Sequence, residues 1–277
     1  MDSLLIIIVL YKKTIIESAS FVSIQKQLKS AGLIDNLTFY FYDNSPTKYN
    51  GEIPPNCFYV HDKDNGGVSK AYNWGAKFAK KNGIRWLLLL DQDTAFPVNY
   101  LEYLSNAIKQ NSSFHIFVPR IFVEELDKYI SPGRVSLHRT IPHKNEYKGV
   151  NKTSDMSVIN SGLCISTNLF WQVGGYEEQV YLDFSDTCFW EKVRKYEKYF
   201  YILDINVSQD FSALERDSYK ARERFKHYCV CARNYPKSNF LNKLTFLILI
   251  MGKTIKMSLR YKSIDFFKIM TNKYFII

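Results

Sequence analysis

The sequence lacks the features that mark secreted or membrane-spanning chains. Its 277 residues include only five cysteines, an odd number at scattered positions, which excludes a disulfide framework and predicts reduced thiols in a cytoplasmic protein. The apolar run at 4–10 has no positive leader and no small-residue cleavage site, so it predicts a buried strand rather than a signal peptide. The longest other apolar run, 246–251, is far below the roughly 20 residues that span a bilayer.

The overall composition is that of an ordinary folded protein. Hydrophobic residues make up 46% and charged residues 23% of the sequence, which excludes disordered and fibrous classes. The length predicts one large domain or two tightly joined halves. Aromatic residues reach 16%, a density that suits a packed α/β protein but selects no function by itself.

Strand and helix patterns alternate through the first half of the sequence. Strands are predicted at 4–10, 37–42, 57–60 and 86–90, of which the first and last are buried, and helices at 15–31 and 68–81. This alternation predicts a Rossmann-like, mostly parallel central sheet flanked by helices, an α/β fold. Further along, the patterns predict helices at 100–109 and 187–196, short strands at 116–118 and 120–123 around Pro119, and a strand over 158–166.

The segment 236–277 differs in composition from the rest of the chain. It carries seven of the ten net positive charges, and bulky apolar residues stand between its basic residues. That pattern predicts a basic amphipathic segment on an anionic membrane surface. The alternative is a pair of C-terminal helices packed on the domain with a solvated basic face. Nucleic acid is a poorer partner, because the interleaved aliphatic side chains would have no role against phosphates.

Two carboxylates, Asp91 and Asp93, directly follow the apolar strand predicted at 86–90. Ligands of open α/β sheets bind beyond the carboxyl ends of the strands. Two acidic side chains separated by one residue can both reach one Mg²⁺ or Mn²⁺ ion that also binds substrate phosphates. The alternative interpretation is a pair of solvated loop acids.

Two further motifs lie at predicted ends of strands or helices. Asp43-Asn44-Ser45 follows the second strand, where the carboxylate could accept hydrogen bonds from a nucleobase or form an Asx turn, and these roles are compatible. Asn65-Gly66-Gly67 opens the helix predicted at 68–81, where glycines let backbone amides approach a phosphate or a sugar. A tight turn would explain the same glycine pair.

The order of these motifs resembles the inverting family-2 glycosyltransferases with a GT-A fold. The Asp91-Gln92-Asp93 form is similar to that of the rhamnosyltransferase-like branch, which builds bacterial O-antigen and other surface polysaccharides. The resemblance covers roughly residues 4 to 235. It implies a GT-A domain over 1–235, with a nucleotide-binding half (1–95) and an acceptor-binding half (96–235), followed by the basic segment 236–277.

The resemblance also implies roles for individual residues. Asp186 would be the general base, with the neighbouring Asp183 as second choice, and Ser161 and Gly162 would line the acceptor side. Asp43 would bind the base, and Asp93 would be the likelier direct ligand of Mg²⁺ or Mn²⁺. The implied nucleotide-sugar site comprises Val9, Tyr11, Asp43, Asn65, Gly66, Gly67, Asn73, Asp91, Gln92 and Asp93.

Three positions depart from the family pattern. Ser185 stands where many relatives have Glu before the base, and Cys188 stands where a further acid is usual. Several relatives place a metal-binding His after the next strand, but residues 207–212 contain none. Asp210 could replace it as a third metal ligand, or the metal could be held with fewer protein ligands.

The predicted reaction transfers L-rhamnose from dTDP-rhamnose to a polyprenyl-diphosphate-linked oligosaccharide at the inner face of the cytoplasmic membrane. UDP-glucose, UDP-galactose or UDP-galactofuranose would suit the same motifs. A sugar-phosphate nucleotidyltransferase is the alternative of another class, although the stretch Tyr11-Lys12-Lys13-Thr14 lacks the glycines such enzymes usually carry there. A non-catalytic membrane-surface protein is a third interpretation.

Overall fold

The structure is a computed structural model that describes residues 3–31, 37–209 and 217–276. Its strands are β1 (Leu4–Leu10), β2 (Leu37–Asp43), β3 (Cys57–His61), β4 (Trp86–Asp91), β5 (Thr94–Ala95), β6 (Ile116–Val123), β7 (Lys128–Ser131), β8 (Val135–Ser136), β9 (Arg139–Thr140), β10 (Gly149–Lys152), β11 (Leu163–Ser166) and β12 (Tyr199–Gln209). Its α-helices are α1 (Ala19–Ala31), α2 (Gly67–Lys81), α3 (Tyr100–Gln110), α4 (Thr167–Gln172), α5 (Ser185–Val193), α6 (Ser218–Asn234), α7 (Phe240–Tyr261) and α8 (Asp265–Met270). Short 3₁₀ turns lie at Ile15–Glu17 and Glu124–Leu126, and a π turn at Thr271–Phe275 follows α8.

The main sheet has the strand order β10-β12-β6-β11-β4-β1-β2-β3, with β5 and β7 as short additions. The strands β3, β2, β1 and β4 are parallel to one another, and β11 is antiparallel to both of its neighbours. The predicted α/β fold with a mostly parallel, helix-flanked sheet is therefore confirmed, and one antiparallel strand at its centre makes the sheet mixed.

The central strand β1 is buried on both faces, which explains its unbroken apolar sequence. Its odd-numbered side chains pack with small residues of α2, and its even-numbered side chains pack against α1 and α3. Burial of one such side chain contributes about 2 kcal/mol, so the two cores hold β1 and its neighbour β4 rigidly in place. The strand ends that carry Asp43 and Asp91 are therefore fixed relative to each other.

Two strand predictions in the second half were wrong. The predicted short strands around Pro119 form one strand, β6, because the pairing of β6 with β12 shifts register at Pro119 and so accommodates the missing N–H. The strand predicted over 158–166 begins only at Leu163. Ser161 and Gly162 form a turn before it, and Gly162 has a φ of 85°, a left-handed conformation that favours glycine.

The C-terminal helices share a third hydrophobic core with the acceptor half. Phe246, Leu249 and Ile250 of α7 pack with α6 and α8 and with Phe184, which precedes α5. One face of α7 is therefore packed, as the alternative of a docked helical pair predicts. Among the helices that the structure describes, none has the length and apolarity needed to cross a membrane. The proposed boundary after residue 235 falls between α6 and α7 and stays a prediction.

Candidate active site

The carboxyl ends of three parallel strands bring the predicted donor residues together. In the sheet register Val9 pairs with Asp91, and Leu10 pairs with Asp43, so both carboxylates flank the end of β1. Gln92 links the end of β4 to the residue that follows β1. Its Oε1 accepts a hydrogen bond from the Tyr11 N–H at 2.8 Å, and its Nε2 donates to the Tyr11 carbonyl at 3.1 Å. The side chain of Gln92 thus positions the start of the loop after β1.

Two serine hydroxyls form hydrogen bonds with the backbone around Asp91 and Asp93. Ser20 of α1 donates to the carbonyl oxygens of Asp91 and Thr94. The Asp91 N–H donates to Oγ of Ser161 at 3.3 Å, and Ser161 also bonds the Thr94 hydroxyl. Ser161, predicted on the acceptor side, is therefore in direct contact with the acidic motif.

The charge of Asp91 interacts with those of Asp93 and Asp186, although Asp186 lies 93 positions after Asp93 in the chain. Burial, together with the charges of Asp93 and Asp186, raises the pKa of Asp91 to about 7, against a hydrogen bond from the Tyr72 hydroxyl at 3.1 Å. Asp186 and Asp91 also both raise the pKa of the buried Tyr176. Asp186 is therefore near enough to Asp91 for their charges to interact, and the shared cleft expected from the sequence stays a prediction.

Asp186 lies in the first turn of α5 rather than at its N-cap. The helix begins at Ser185, two residues earlier than predicted, after Phe184 in a left-handed conformation with a φ of 65°. Asp186 therefore does not cap this helix, whose N-cap residue is Phe184. Burial raises its pKa to about 6, opposed by a hydrogen bond from the Thr187 N–H to Oδ1 at 2.8 Å. This carboxylate is ionised at neutral pH and faces a cavity of about 810 Å³.

Asp183, the second candidate base, is held by an arginine. Arg224 of α6 donates to both of its carboxylate oxygens, at 2.7 and 3.1 Å. A bidentate guanidinium makes a carboxylate a weaker proton acceptor. The geometry therefore favours Asp186 over Asp183 as the base, and both assignments stay predictions.

The glycine motif ties the two halves of the domain together, a role that the sequence did not reveal. Gly67 has a φ of 79°, and a Cβ there would lie 2.3 Å from the Tyr181 carbonyl oxygen, which accepts a hydrogen bond from the Val68 N–H at 2.8 Å. Asn73, further along the same helix, accepts a hydrogen bond from the Tyr176 N–H and donates one to the Tyr176 carbonyl through its side-chain amide. These contacts hold segment 176–181, which we call the strap, and the strap leads to Asp186.

A second missed residue, Asp62, organises the loop before α2. Its carboxylate accepts hydrogen bonds from the Tyr42 hydroxyl at 2.6 Å, Lys70 Nζ at 2.8 Å and the Gly66 N–H at 3.1 Å. The neighbouring Asn65 has a φ of 51°, a left-handed conformation that asparagine tolerates. The backbone of this turn is thus fixed beside Asp43, and the predicted contacts of Asn65, Gly66 and Gly67 with a donor stay predictions.

Asp43 lies beside a second cavity, of about 530 Å³, whose lining also includes Lys12, Lys13 and Tyr49. Its Oδ1 accepts the Ser45 N–H at 2.8 Å, which is an Asx turn, and its Oδ2 accepts the Tyr59 hydroxyl at 2.6 Å. The Asx turn proposed from the sequence is therefore present. The carboxylate is only 1% exposed, and base recognition by Asp43 stays a prediction.

The donor set for a divalent cation is small but chemically suitable. No cluster of three His, Cys, Asp or Glu residues occurs in the described parts of the chain, and Asp210 lies outside them. Gln209 donates from Nε2 to Oδ1 of Asp93 at 3.4 Å, and its own Oε1 is buried without a hydrogen-bond partner. Mg²⁺ and similar ions accept one or two carboxylates plus substrate oxygens. Asp91, Asp93 and an orphaned amide oxygen fit that requirement.

One protein-family model matches the segment of the chain that includes the acidic motif. The family model described as "Glycosyl transferase family 2" matches residues 43–168, which include Asp91, Asp93, Ser161 and Gly162. A search of curated proteins finds no significant sequence match. The match agrees with the predicted class, a family 2 glycosyltransferase, for this segment, whereas the rhamnosyltransferase-like branch receives no support.

Two solved structures share the fold at low sequence identity. TarS of S. aureus superposes with a TM-score of 0.54 at 16% identity, over 93% of this chain and 44% of TarS. The mannosyltransferase PcManGT of Pyrobaculum calidifontis, solved with GDP-Man and Mn²⁺, superposes with a TM-score of 0.54 at 13% identity, over 94% of this chain and 73% of PcManGT. The chain thus spans less than half the length of TarS, and these likenesses establish the GT-A-like fold.

Proposed function

We propose that this chain, with its GT-A-like fold and its family 2 segment at residues 43–168, is an inverting glycosyltransferase that uses a nucleotide-sugar donor. One observation carries the proposal. Asp93 at the end of β4 and Asp186 at the start of α5 both raise the pKa of Asp91, so the three carboxylates would form one site. That site has carboxylates for a cation on one side and a carboxylate facing a cavity on the other.

The donor would bind at the strand ends. Asp91 and Asp93 would hold Mg²⁺ or Mn²⁺, which when bound neutralises charge on the departing diphosphate. Gln92 and Ser20 fix the backbone of this motif, so its carboxylates need little reorganisation. Val9 and Tyr11 end β1 beside the motif, and Asp43 borders the adjacent 530 Å³ cavity in which the base would lie.

The acceptor would be activated by Asp186. An alcohol is a poor nucleophile, so a carboxylate must take its proton as the new bond forms. A pKa near 6 keeps Asp186 ionised at neutral pH while making it a stronger base than an ordinary aspartate. A single displacement by the activated hydroxyl inverts the anomeric centre. Asp183, paired with Arg224, would position the segment before α5 rather than accept the proton.

The donor sugar is proposed from the sequence resemblance. L-rhamnose from dTDP-rhamnose is the first choice, with UDP-glucose, UDP-galactose and UDP-galactofuranose as alternatives. The GDP-Man and Mn²⁺ in the PcManGT structure add GDP-mannose and Mn²⁺ to the conditions worth testing. The proposed pathway is O-antigen or another surface polysaccharide.

The acceptor is proposed to be lipid-linked, at an anionic membrane surface on the cytoplasmic side. Helix α7 supports this proposal, since its second face is apolar and exposed. This exposed stripe consists of Leu241, Leu244, Ile248, Met251, Ile255 and Leu259, spaced three and four residues apart. The segment around it carries the excess of basic residues, so its apolar and cationic groups together suit the interface of anionic lipids.

The direct test is a panel of these nucleotide sugars with polyprenyl-diphosphate-linked saccharide acceptors, each with Mg²⁺, Mn²⁺ or EDTA. Transfer from one donor with release of the nucleoside diphosphate supports the proposal. A nucleotidyltransferase would instead release pyrophosphate or form a new sugar nucleotide. If Asp93→Asn and Asp186→Asn match the unchanged chain in every assay, the non-catalytic interpretation is correct.

A further inference from the structure

The cavity that Asp186 faces is lined by an excess of cationic side chains. Arg139 of β9, Arg224 of α6, and Lys253, Lys256 and Arg260 of α7 contribute to its walls, against two carboxylates, Asp183 and Asp186. Three segments that are distant in sequence thus bring five positive charges to one cavity of about 810 Å³. With these side chains ionised, the lining has a net charge of +3.

Two of these cations lie against one tyrosine. Lys253 Nζ lies 3.5 Å from the centre of the Tyr228 ring, and Arg139 donates to the hydroxyl of the same tyrosine. Burial, together with the charges of Arg224 and Arg139, lowers the pKa of Lys253 to about 8, against the opposing effect of Asp183. Arg224 forms a salt bridge with Asp183, one of the two carboxylates of the lining. An anionic ligand would offset the net positive charge of the cavity.

From this cavity we infer a second anion-binding site, which takes the phosphate or diphosphate group of the acceptor while the acceptor's sugar hydroxyl lies at Asp186. The inference rests on the proposed function and specifies its acceptor class. The donor diphosphate is assigned elsewhere, because Asp91 and Asp93 do not line this cavity. The two charged groups of the two substrates would therefore be bound on opposite sides of the reacting atoms.

The position of the cavity on α7 favours a lipid as the carrier of this anion. Lys253, Lys256 and Arg260 project from one side of the helix, and the exposed stripe lies on the adjacent side. Ile248 belongs to both, since it lines the cavity and is 57% exposed. A lipid chain along the stripe would place its headgroup at the mouth of the cavity. A soluble phosphorylated saccharide offers the same headgroup chemistry without the chain.

The test measures binding without requiring sugar transfer. Titration calorimetry of the full chain with farnesyl diphosphate, inorganic pyrophosphate and farnesol is performed in EDTA, so that no metal can hold a diphosphate at Asp91 and Asp93. We expect farnesyl diphosphate to bind and Lys256→Glu to weaken it about tenfold, since each hydrogen bond to a charged group contributes substantially. Lys243→Glu is the matched control, because Lys243 is exposed on the same helix but does not line the cavity.

The probes separate the two sources of the anion. Tighter binding of farnesyl diphosphate than of pyrophosphate supports a lipid carrier, and equal binding supports a soluble phosphorylated acceptor. Equal weakening by Lys256→Glu and Lys243→Glu, or displacement of pyrophosphate by UDP and dTDP in EDTA, overturns the inference. The outcome is independent of the proposed function, because Asp186→Asn should abolish transfer and leave this binding in place.

Discussion

Replacing Asp186 by asparagine should stabilise the protein while abolishing sugar transfer. The two side chains have nearly the same shape, and the asparagine oxygen can still accept the hydrogen bond from the Thr187 N–H. The substitution therefore removes charge and proton-accepting ability with little change in packing. A residue that serves only the fold would lose stability when altered, so the two effects distinguish a catalytic from a structural carboxylate.

The size of the stabilisation follows from the pKa of Asp186. Burial raises this pKa from 3.8 to about 6, so keeping Asp186 ionised in the folded state lowers the free energy of unfolding. The rise corresponds to an upper bound of about 3 kcal/mol above pH 6, and partial exposure of the carboxylate reduces the expected gain to about 1–2 kcal/mol. The folded state binds the proton more tightly, so this group's contribution to stability is complete below pH 3.8 and is lost as the pH rises through 6.

The assay compares urea unfolding of both forms at pH 4 and pH 7.5 and measures kcat/KM across the same range. Asp186→Asn should be more stable at pH 7.5 only, and its transfer rate should fall by roughly 100- to 10,000-fold, the usual contribution of a general base. In the unchanged protein kcat/KM should decline below about pH 6. Normal transfer by the variant, or a loss of stability at pH 7.5, would refute the assignment of Asp186.

Two further predictions test the strap and the exposed stripe. Gly67→Ala should destabilise the fold by about 3 kcal/mol and reduce transfer, because the new Cβ collides with the Tyr181 carbonyl. The control Gly83→Ala, also at positive φ but with open space around it, should cost only about 1 kcal/mol. Equal losses of stability in thermal unfolding would contradict the role of Gly67 in holding the strap. Leu259→Glu should weaken binding to vesicles that contain anionic lipid by about tenfold, whereas Val98→Glu, at a similarly exposed position, should not. Equal binding of both variants in a sedimentation assay would show that α7 does not contact the membrane.

Much of the donor side was predictable from the sequence, because its strands and the acidic residues that follow them are recognisable within short segments of the chain. The apolar runs of β1 and β4 are interpretable only as buried strands, and a parallel sheet places the residues that follow them at one edge. Asp91 and Asp93 could therefore be located before any coordinates. The same reasoning failed at Pro119, because whether a proline interrupts a strand depends on a register shift in the partner strand, which the local sequence does not encode.

The acceptor side depends on contacts between distant segments. Nothing near Gly67 or Asn73 in the sequence indicates that they hold the strap more than 100 residues further on, since a glycine pair at a helix start has many explanations. Likewise, Arg139, Arg224 and Lys253 stand in unrelated local patterns and share a cavity only because α6 and α7 pack beside α5. The basic residues of α7 were predicted as a membrane-facing set, and three of them, Lys253, Lys256 and Arg260, also line this cavity.

The charges of the site suggest why two substrates of unlike chemistry would meet there. The pKa of Asp91 is raised and that of Lys253 is lowered, so each group is shifted towards its neutral form. A direct salt bridge between such groups would produce the opposite shifts, yet the fold keeps them at separate places, Asp91 at the strand ends and Lys253 in the cavity wall. The charged form of each group would therefore be stabilised by a ligand of opposite charge, a cation at Asp91 and an anion at Lys253. Asp186 raises the pKa of Asp91 and also lines the cavity of Lys253, so it is the carboxylate that would border both ligands.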